Sequence, residues 1–381
     1  MVEGVRREWP GAVELEVKAD GRSVPALAYP ALTGRPQPGD RVLLNVTALE
    51  LGLGTGGYAL VVAIPDRLPA DLPGPGHLVK ARYTPLQATV LGADEQDSPH
   101  HELLRDADDL AGMPVVTADL HSALPAVIAG LRAAPQTGQP AGLPAGLPAG
   151  LPTGQPAGLP GGLPAEPTVA YVMTDGGALP AWFSRTAAAL REAGWLSGTV
   201  TVGQAFGGDL EAVTLHTGLL AARHVLGAQV AVVAQGPGNL GTGTRWGFSG
   251  VACGEAVNAV AVLGGRPVAS LRISEADPRP RHLGISHHSL TSYGRVALAR
   301  ADVVVPALPG PFGEQVAAQA APLAERHRLV RVAVDGLMEE LAGCPARLST
   351  MGRGLAQDRA YFLAAAAAGR HAARLLSGNS Y

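Results

Sequence analysis

The stretch Val230-Ala231-Val232-Val233-Ala234-Gln235-Gly236-Pro237-Gly238-Asn239-Leu240-Gly241-Thr242-Gly243-Thr244 decides the fold. Its first five residues are apolar and mostly β-branched, the pattern of a strand buried on both faces. A glycine-rich turn follows, and residues 249–263 then read as a helix. Strand, glycine turn and helix in that order aim backbone N–H groups and a positive helix end at one point, where an anion is stabilised. Working outward, further apolar strands are expected at 169–173, 199–202, 268–273, 303–305 and 329–334. They alternate with helices expected at 181–193, 212–226, 289–300, 313–326 and 355–376. Buried strands alternating with helices predict a doubly wound, mostly parallel α/β sheet of Rossmann-like kind over residues 168–381.

Upstream the period changes. Val13-Glu14-Leu15-Glu16-Val17 alternates as a half-buried strand does, and 24–29, 42–46 and 58–64 read as further strands. Pro30, Pro36, Pro38 and the glycines between 52 and 57 punctuate them. A small antiparallel β-barrel-like domain is therefore expected over 1–95. Residues 96–134 read as a connecting strand and helix. Residues 135–167 repeat Ala-Gly-Leu-Pro and Thr-Gly-Gln-Pro units with period four, which matches no solenoid or collagen repeat. Proline removes backbone donors and glycine raises chain entropy, so a flexible insert is expected there.

Composition narrows the class. The chain has 381 residues, 47% of them hydrophobic and 16% charged, enough apolar matter for two globular cores. A net charge of −3 and an aromatic content of 4% argue against a nucleic-acid or membrane partner. No run reaches the roughly 18 apolar residues of a membrane span, and the first residues carry no apolar leader core. Cys253 and Cys344 form no CxxC pair and no disulfide framework, so a cytoplasmic protein is expected, with Cys253 as a small buried residue.

Ligands of open α/β sheets bind beyond the carboxyl ends of the strands, so the strand-end loops are where chemistry is sought. The first carries Asp175 and the second Asp209, each beside a glycine pair. In the third, Gly236, Gly238 and Gly241 with Thr242 and Thr244 are candidates for holding an anion through backbone and hydroxyl donors. The fourth carries Asp277, His282, His287 and His288. Three histidines in seven residues suit general acid/base work or metal ligation, with Asp277 as the group that would orient them. Their spacing matches no established zinc motif, and neither metal nor cofactor follows from it. Adjacent His287 and His288 are expected to point apart, so that at most one faces a shared centre. The plainer reading has the histidines capping the next helix and the aspartates forming turns.

Three better-known chemistries fit poorly. Pro237, the delayed helix start after Gly243, and Glu255 falling inside a helix count against dinucleotide binding. No Walker lysine follows the glycines, and no Gly-x-Ser-x-Gly elbow is present. Lys80 and Arg82 lie in a polar run, 76–85, that either covers the α/β site or forms a surface strand. The expected function is hydrolysis or group transfer on a small anionic metabolite. The alternative is a non-enzymatic metabolite-binding or interaction module. Oligomeric state is open.

Several segments together resemble an uncharacterised bacterial family, the domain of unknown function 3866 family. They are Tyr29-Pro30-Ala31-Leu32-Thr33-Gly34, residues 76–87, Leu120-His121-Ser122, and residues 173–180, 203–209, 235–250, 272–291 and 349–353. The 135–167 tract is not part of that pattern. The resemblance implies a shared two-part architecture and brings no activity, substrate or catalytic residue with it.

Overall fold

The computed structural model describes residues 1–54, 56–70, 76–133 and 166–377. The expected insert, 135–167, thus lies almost wholly outside the described residues. At the N-terminus, strands β1 (Val2–Trp9), β2 (Ala12–Ala19), β3 (Arg22–Ala28), β4 (Leu43–Asn45) and β5 (Ala59–Ala63) form one sheet in the order β1-β2-β3-β5-β4. β2 turns Val13, Leu15 and Val17 into the small core shared with Ala26 and Val61, while Glu14 on its other face is buried as well. Two expectations are corrected. β1 and β4 stand at the two ends of the strand order, where a barrel would pair them. The sheet is also mixed, because β3 and β5 run parallel. A parallel pair needs a long crossover, and residues 29–58 supply one.

A hairpin of β6 (Leu78–Lys80) and β7 (Ala88–Val90) leads to the second part. There, β8 (Pro114–Thr117), β9 (Val169–Thr174), β10 (Gly198–Thr201), β11 (Leu210–Glu211), β12 (Val230–Gln235) and β13 (Arg266–Ser270) are joined by two further strands. Short β14 (Ile273–Ser274) and β15 (Gly284–Ile285) form a separate antiparallel hairpin, and β16 (Asp302–Pro306) and β17 (Arg328–Val332) complete the large sheet. Its eight strands run parallel in the order β11-β10-β9-β12-β8-β13-β16-β17. The segment read as a connection therefore supplies β8, a central strand. The strand expected at 268–273 ends at Ser270, and Ile273 pairs instead with Ile285 of the hairpin.

Helices cover both faces of this sheet. Leu124–Arg132, Arg185–Glu192 and Arg359–Leu376 share one core with Val116, Tyr171 and Val232. Leu215–His224, Ala252–Val262 and Gly310–Ala320 pack on the other face. Side chains alternate across a strand, so Val232 and Val233 enter different cores. The closest approach is between Leu124–Arg132 and Arg359–Leu376. A Cβ on Gly130 would overlap the Ala366 carbonyl, and one on Gly369 the Val127 carbonyl. The alanine run 364–368 keeps the rest of that contact thin.

The sheet order places a switch point at its centre. β8 and β9 are each followed by helices on one face, whereas β12 and β13, interleaved with them, are followed by helices on the other. Right-handed crossovers in both directions from the centre require this. The loops after β8, β12 and β13 therefore splay apart and leave a crevice at the carboxyl edge. The Tyr293 hydroxyl secures its floor by donating to the Thr117 carbonyl at 2.7 Å, with the Ser270 carbonyl 3.2 Å away. The N-terminal sheet docks further along, on the loop after β9. The Trp9 indole donates to the Trp182 carbonyl at 2.6 Å, and Trp182 packs edge-on against Phe206. No helix among the described residues is long and apolar enough to cross a membrane.

Candidate functional site

The crevice gathers its polar groups from the three splayed loops. The chain leaving β8 puts Asp119 there, buried to 3% exposure. The chain leaving β13 contributes Arg272, also buried, before it turns through the β14–β15 hairpin and returns as the short helix His287–Thr291. Ser286 caps that helix, its Oγ accepting from the His288 amide at 3.2 Å. The hairpin brings His282 over the start of the helix, where His287 and His288 already stand. The three imidazole rings lie 4.5–5.0 Å apart between centroids. One ring nitrogen from each falls within 4.8 Å of the other two.

This corrects the expectation that His287 and His288 diverge. Neighbours in a helix are separated by about 100°, whereas neighbours in a strand are separated by 180°, so two adjacent helical side chains can flank one centre. His282 fills the space between them. Its Nδ1 lies 2.7 Å from the Ser286 hydroxyl, which leaves Nε2 for another partner. His288 Nδ1 lies 3.7 Å from Asp119 Oδ2 and 3.4 Å from the Arg272 guanidinium. His287 Nε2 and Asp119 Oδ2 are both buried without a hydrogen-bond partner among the described residues. Such groups are costly, typically about 1–3 kcal/mol each, and native chains keep few of them.

Charge is arranged in a second layer. Arg272 lies between Asp119 at 3.9 Å and Asp277 at 3.8 Å. Asp277 accepts both guanidinium bonds of Arg279 at 2.8 Å and is also reached by Arg353 at 3.2 Å. These bonds hold its carboxyl well below the usual carboxylate range. Arg353 also donates to Asp358 at 3.0 Å, which in turn accepts from Ser274 at 2.7 Å. Asp277 is thus occupied by arginines, and Asp119 stands where an orienting carboxylate for a histidine was expected. Burial first, then the positive Arg272 and Arg279, push His282 down to about 3. Burial and the neighbouring His288 and Arg281 push His287 down to about 4. Both imidazoles are neutral at pH 7, so each keeps one ring nitrogen with a lone pair.

The glycine loop forms the adjacent wall. Phe248 at its end stacks flat on His288, and Gly250 N–H and Ser249 Oγ donate to Asn239 Oδ1. Gln235, the last residue of β12, donates to the Asp119 carbonyl at 2.7 Å and fixes the two loops to each other. Between them lies a small cavity of about 10 Å³ lined by Asp119, Gln235, Ser249 and Cys253. Burial and the nearby Asp119 push the Cys253 thiol up to about 12, so it stays protonated.

The other expected residues fall in three places. Gly236 is buried, and its N–H donates to the Thr174 carbonyl, so it closes the turn. Gly238 is exposed at a φ of +93°, and a Cβ there would meet nothing within 4 Å. Gly241 bridges to Phe248 in a small hairpin, inside which the hydroxyls of Thr242 and Thr244 bond each other at 3.1 Å. The Arg281 guanidinium comes to 3.6 Å from the Cβ position of Gly243 on that hairpin. Asp175 is at the carboxyl edge but accepts from the Gln204 amide at 2.8 Å, away from the histidines. Asp209 precedes β11 and pairs with Arg191 at 2.7 Å and the Thr199 amide at 2.7 Å, toward the opposite end of the strands.

Sequence reasoning missed Asp119, Arg272, Phe248, Arg353 and Asp358. A signal existed for the first two. Asp119 closely follows the strand expected within 96–134, and Arg272 is a lone charge at the end of an apolar strand. Lys80 is buried instead of covering the site. Its ammonium donates to the carbonyls of Thr201, Ala205 and Ala212 at 2.8–3.0 Å and pairs with Glu211 at 2.9 Å.

No curated protein and no solved structure matches the chain. The profile of a family described as "Protein of unknown function (DUF3866)" matches residues 25–149 and 159–369, with its one interruption inside the Pro/Gly/Leu tract. Since the match covers most of the chain, from the end of β3 through the parallel sheet and every loop of the crevice, the chain belongs to this family of proteins of unknown function.

Proposed function

We propose that the carboxyl-edge crevice is the active site of an enzyme that hydrolyses, or transfers a group from, a small anionic metabolite. The observation that carries this reading is Arg272. A guanidinium has five donors, yet this buried one has its neighbours at 3.4, 3.8 and 3.9 Å. Buried charge is normally held by close bonds, so a loosely held fork beside the neutral imidazoles of His282 and His287 suits a ligand that arrives with its own negative charge. Arg281, against the exposed glycine hairpin, adds a second cation at the rim. Three ring nitrogens within 4.8 Å of one another supply what a proton transfer or a bound water needs.

The test is a thermal-shift and calorimetric screen of small phosphate-, sulfate- and carboxylate-bearing metabolites. At least one class should raise the unfolding temperature of the wild-type protein, and that shift should fall in Arg281→Gln. Hits then serve as substrates in a hydrolysis assay. A screen in which no anion binds more tightly than about 1 mM removes this reading.

A further inference from the structure

We propose that His282, His287 and His288 together hold one divalent transition-metal ion of the zinc class, with Asp119 orienting His288 from behind. The inference builds on the reading of this edge as a reaction centre and goes beyond it by naming what the imidazoles do there.

Three observations carry it. The first is convergence: one nitrogen from each ring lies within 4.8 Å of the others. Nitrogens bound at 2.0–2.1 Å around a tetrahedral ion stand about 3.4 Å apart, so side-chain adjustments of about 1 Å complete the set. The second is the orphaned atoms. His287 Nε2 and Asp119 Oδ2 are buried without partners among the described residues. An ion satisfies the first directly. It satisfies the second by fixing His288 with Nε2 on the metal and Nδ1–H turned to Asp119, 3.7 Å away, a tautomer that gives up the long 3.4 Å bond Nδ1 accepts from Arg272. A ligating histidine commonly donates its other N–H to a carboxylate in this way. His282 has the same arrangement toward the Ser286 hydroxyl at 2.7 Å. The third is packing. Phe248, stacked flat on His288, restricts the rotation of that ring.

The donor set selects the metal class. Three imidazoles suit zinc, copper, iron, nickel or cobalt, and are poor ligands for magnesium or calcium, which take oxygen. Three protein ligands leave a fourth position open, as in catalytic sites and unlike the closed four-ligand structural sites. Charge fits the proposed substrate. The carboxylates of Asp119, Asp277 and Asp358 balance the guanidiniums of Arg272, Arg279 and Arg353. A divalent ion then leaves the crevice positive, and an anionic ligand completes it.

The experiment uses the full chain without an affinity tag, stripped by chelator and titrated with Co2+ alone. We expect one equivalent per chain, visible absorption of a four- or five-coordinate cobalt ion, and displacement by Zn2+. His282→Ala and His287→Ala should each weaken binding at least about 100-fold, and Asp119→Asn about 10- to 100-fold. Absence of saturable binding in the wild type, or binding unchanged in a folded His287→Ala, overturns the proposal. If the variants fail to fold, X-ray absorption of the wild-type zinc complex decides. About three imidazole nitrogens near 2.0–2.1 Å support it, and an oxygen-only shell overturns it. Inorganic phosphate titrated into the same preparations separates the two readings. Metal binding without phosphate binding upholds the metal site and counts against the anion-processing enzyme.

Discussion

The Phe248 ring lies flat on the His288 imidazole, with centroids 3.8 Å apart and planes 2° from parallel. Phe248 ends the glycine loop after β12, and His288 follows the hairpin after β13. One stacked pair therefore joins the two loops that the sequence marked separately, and it fixes the orientation of a ring with few close polar partners.

Phe248→Leu keeps an apolar side chain of similar volume and removes the stack. The protein should stay folded, with a stability loss under about 1.5 kcal/mol. The stack itself is worth about 0.5–1.5 kcal/mol, so Co2+ affinity should drop by up to about tenfold. Titration of both proteins checks this. An unchanged affinity in the folded variant would show that Phe248 does not position His288.

Gly130→Ala tests the contact beneath the site. Its new methyl would meet the Ala366 carbonyl, a backbone atom in the middle of Arg359–Leu376, which cannot swing aside as a side chain can. Despite the better helix propensity of alanine, the variant should lose about 1–3 kcal/mol in urea unfolding. Since Asp358 precedes that helix, any shift of its axis should also weaken the Arg353–Asp358 pair.

Lys80→Met leaves Glu211 buried without its cation and the Ala205 and Ala212 carbonyls without their donor, while the Thr201 carbonyl keeps the Ala212 amide. A loss of about 3–5 kcal/mol is expected, as for other broken buried pairs. Burial raises the Glu211 carboxyl, so it is prone to protonate once the ammonium is gone. The double variant Lys80→Met/Glu211→Gln should recover part of the loss. If the double variant is less stable than the sum of the singles, the pair is not the unit described.

His121 sets a pH dependence of stability. Its Nδ1 lies 3.0 Å from the Tyr171 hydroxyl, which donates to the Gln235 carbonyl, and its Nε2 lies 2.8 Å from Ser184 Oγ. Burial lowers it from 6.5 to about 4. The unfolded chain takes up the proton first, so this contribution to stability is whole above pH 6.5 and is lost as pH falls from 6.5 towards 4. The loss is on the order of 3 kcal/mol at the lower end. Urea midpoints at pH 7 and pH 5 should differ less in His121→Gln than in wild type. Equal differences would show that His121 does not titrate as described.

Much of the architecture was legible because it depends on near neighbours. The alternation of β2 and the apolar runs of β9, β12 and β16 report burial on one face or two, and a strand carries that signal in its own five residues. The glycine loop and the three histidines were legible as residue types out of place in a core. Strand order was not, because periodicity records which residues are buried and says nothing of which strand lies beside them. β8 read as a connector since its neighbours, β12 and β13, come from more than 110 residues further on.

The crevice belongs to that second kind of information. Composition and period determined a parallel α/β part, a β-rich N-terminus and the loops in which chemistry was to be sought. Tertiary structure alone decided that Asp119 stands behind His288, that Asp277 is taken up by arginines, and that Asp209 lies toward the far end of its strands. It also brought His287 and His288 to one centre, through the turn of a short helix and the hairpin that lays His282 across it. Local sequence sets which side chains are polar. Their distances from one another follow from crossovers between strands far apart in the chain, and no local window contains them.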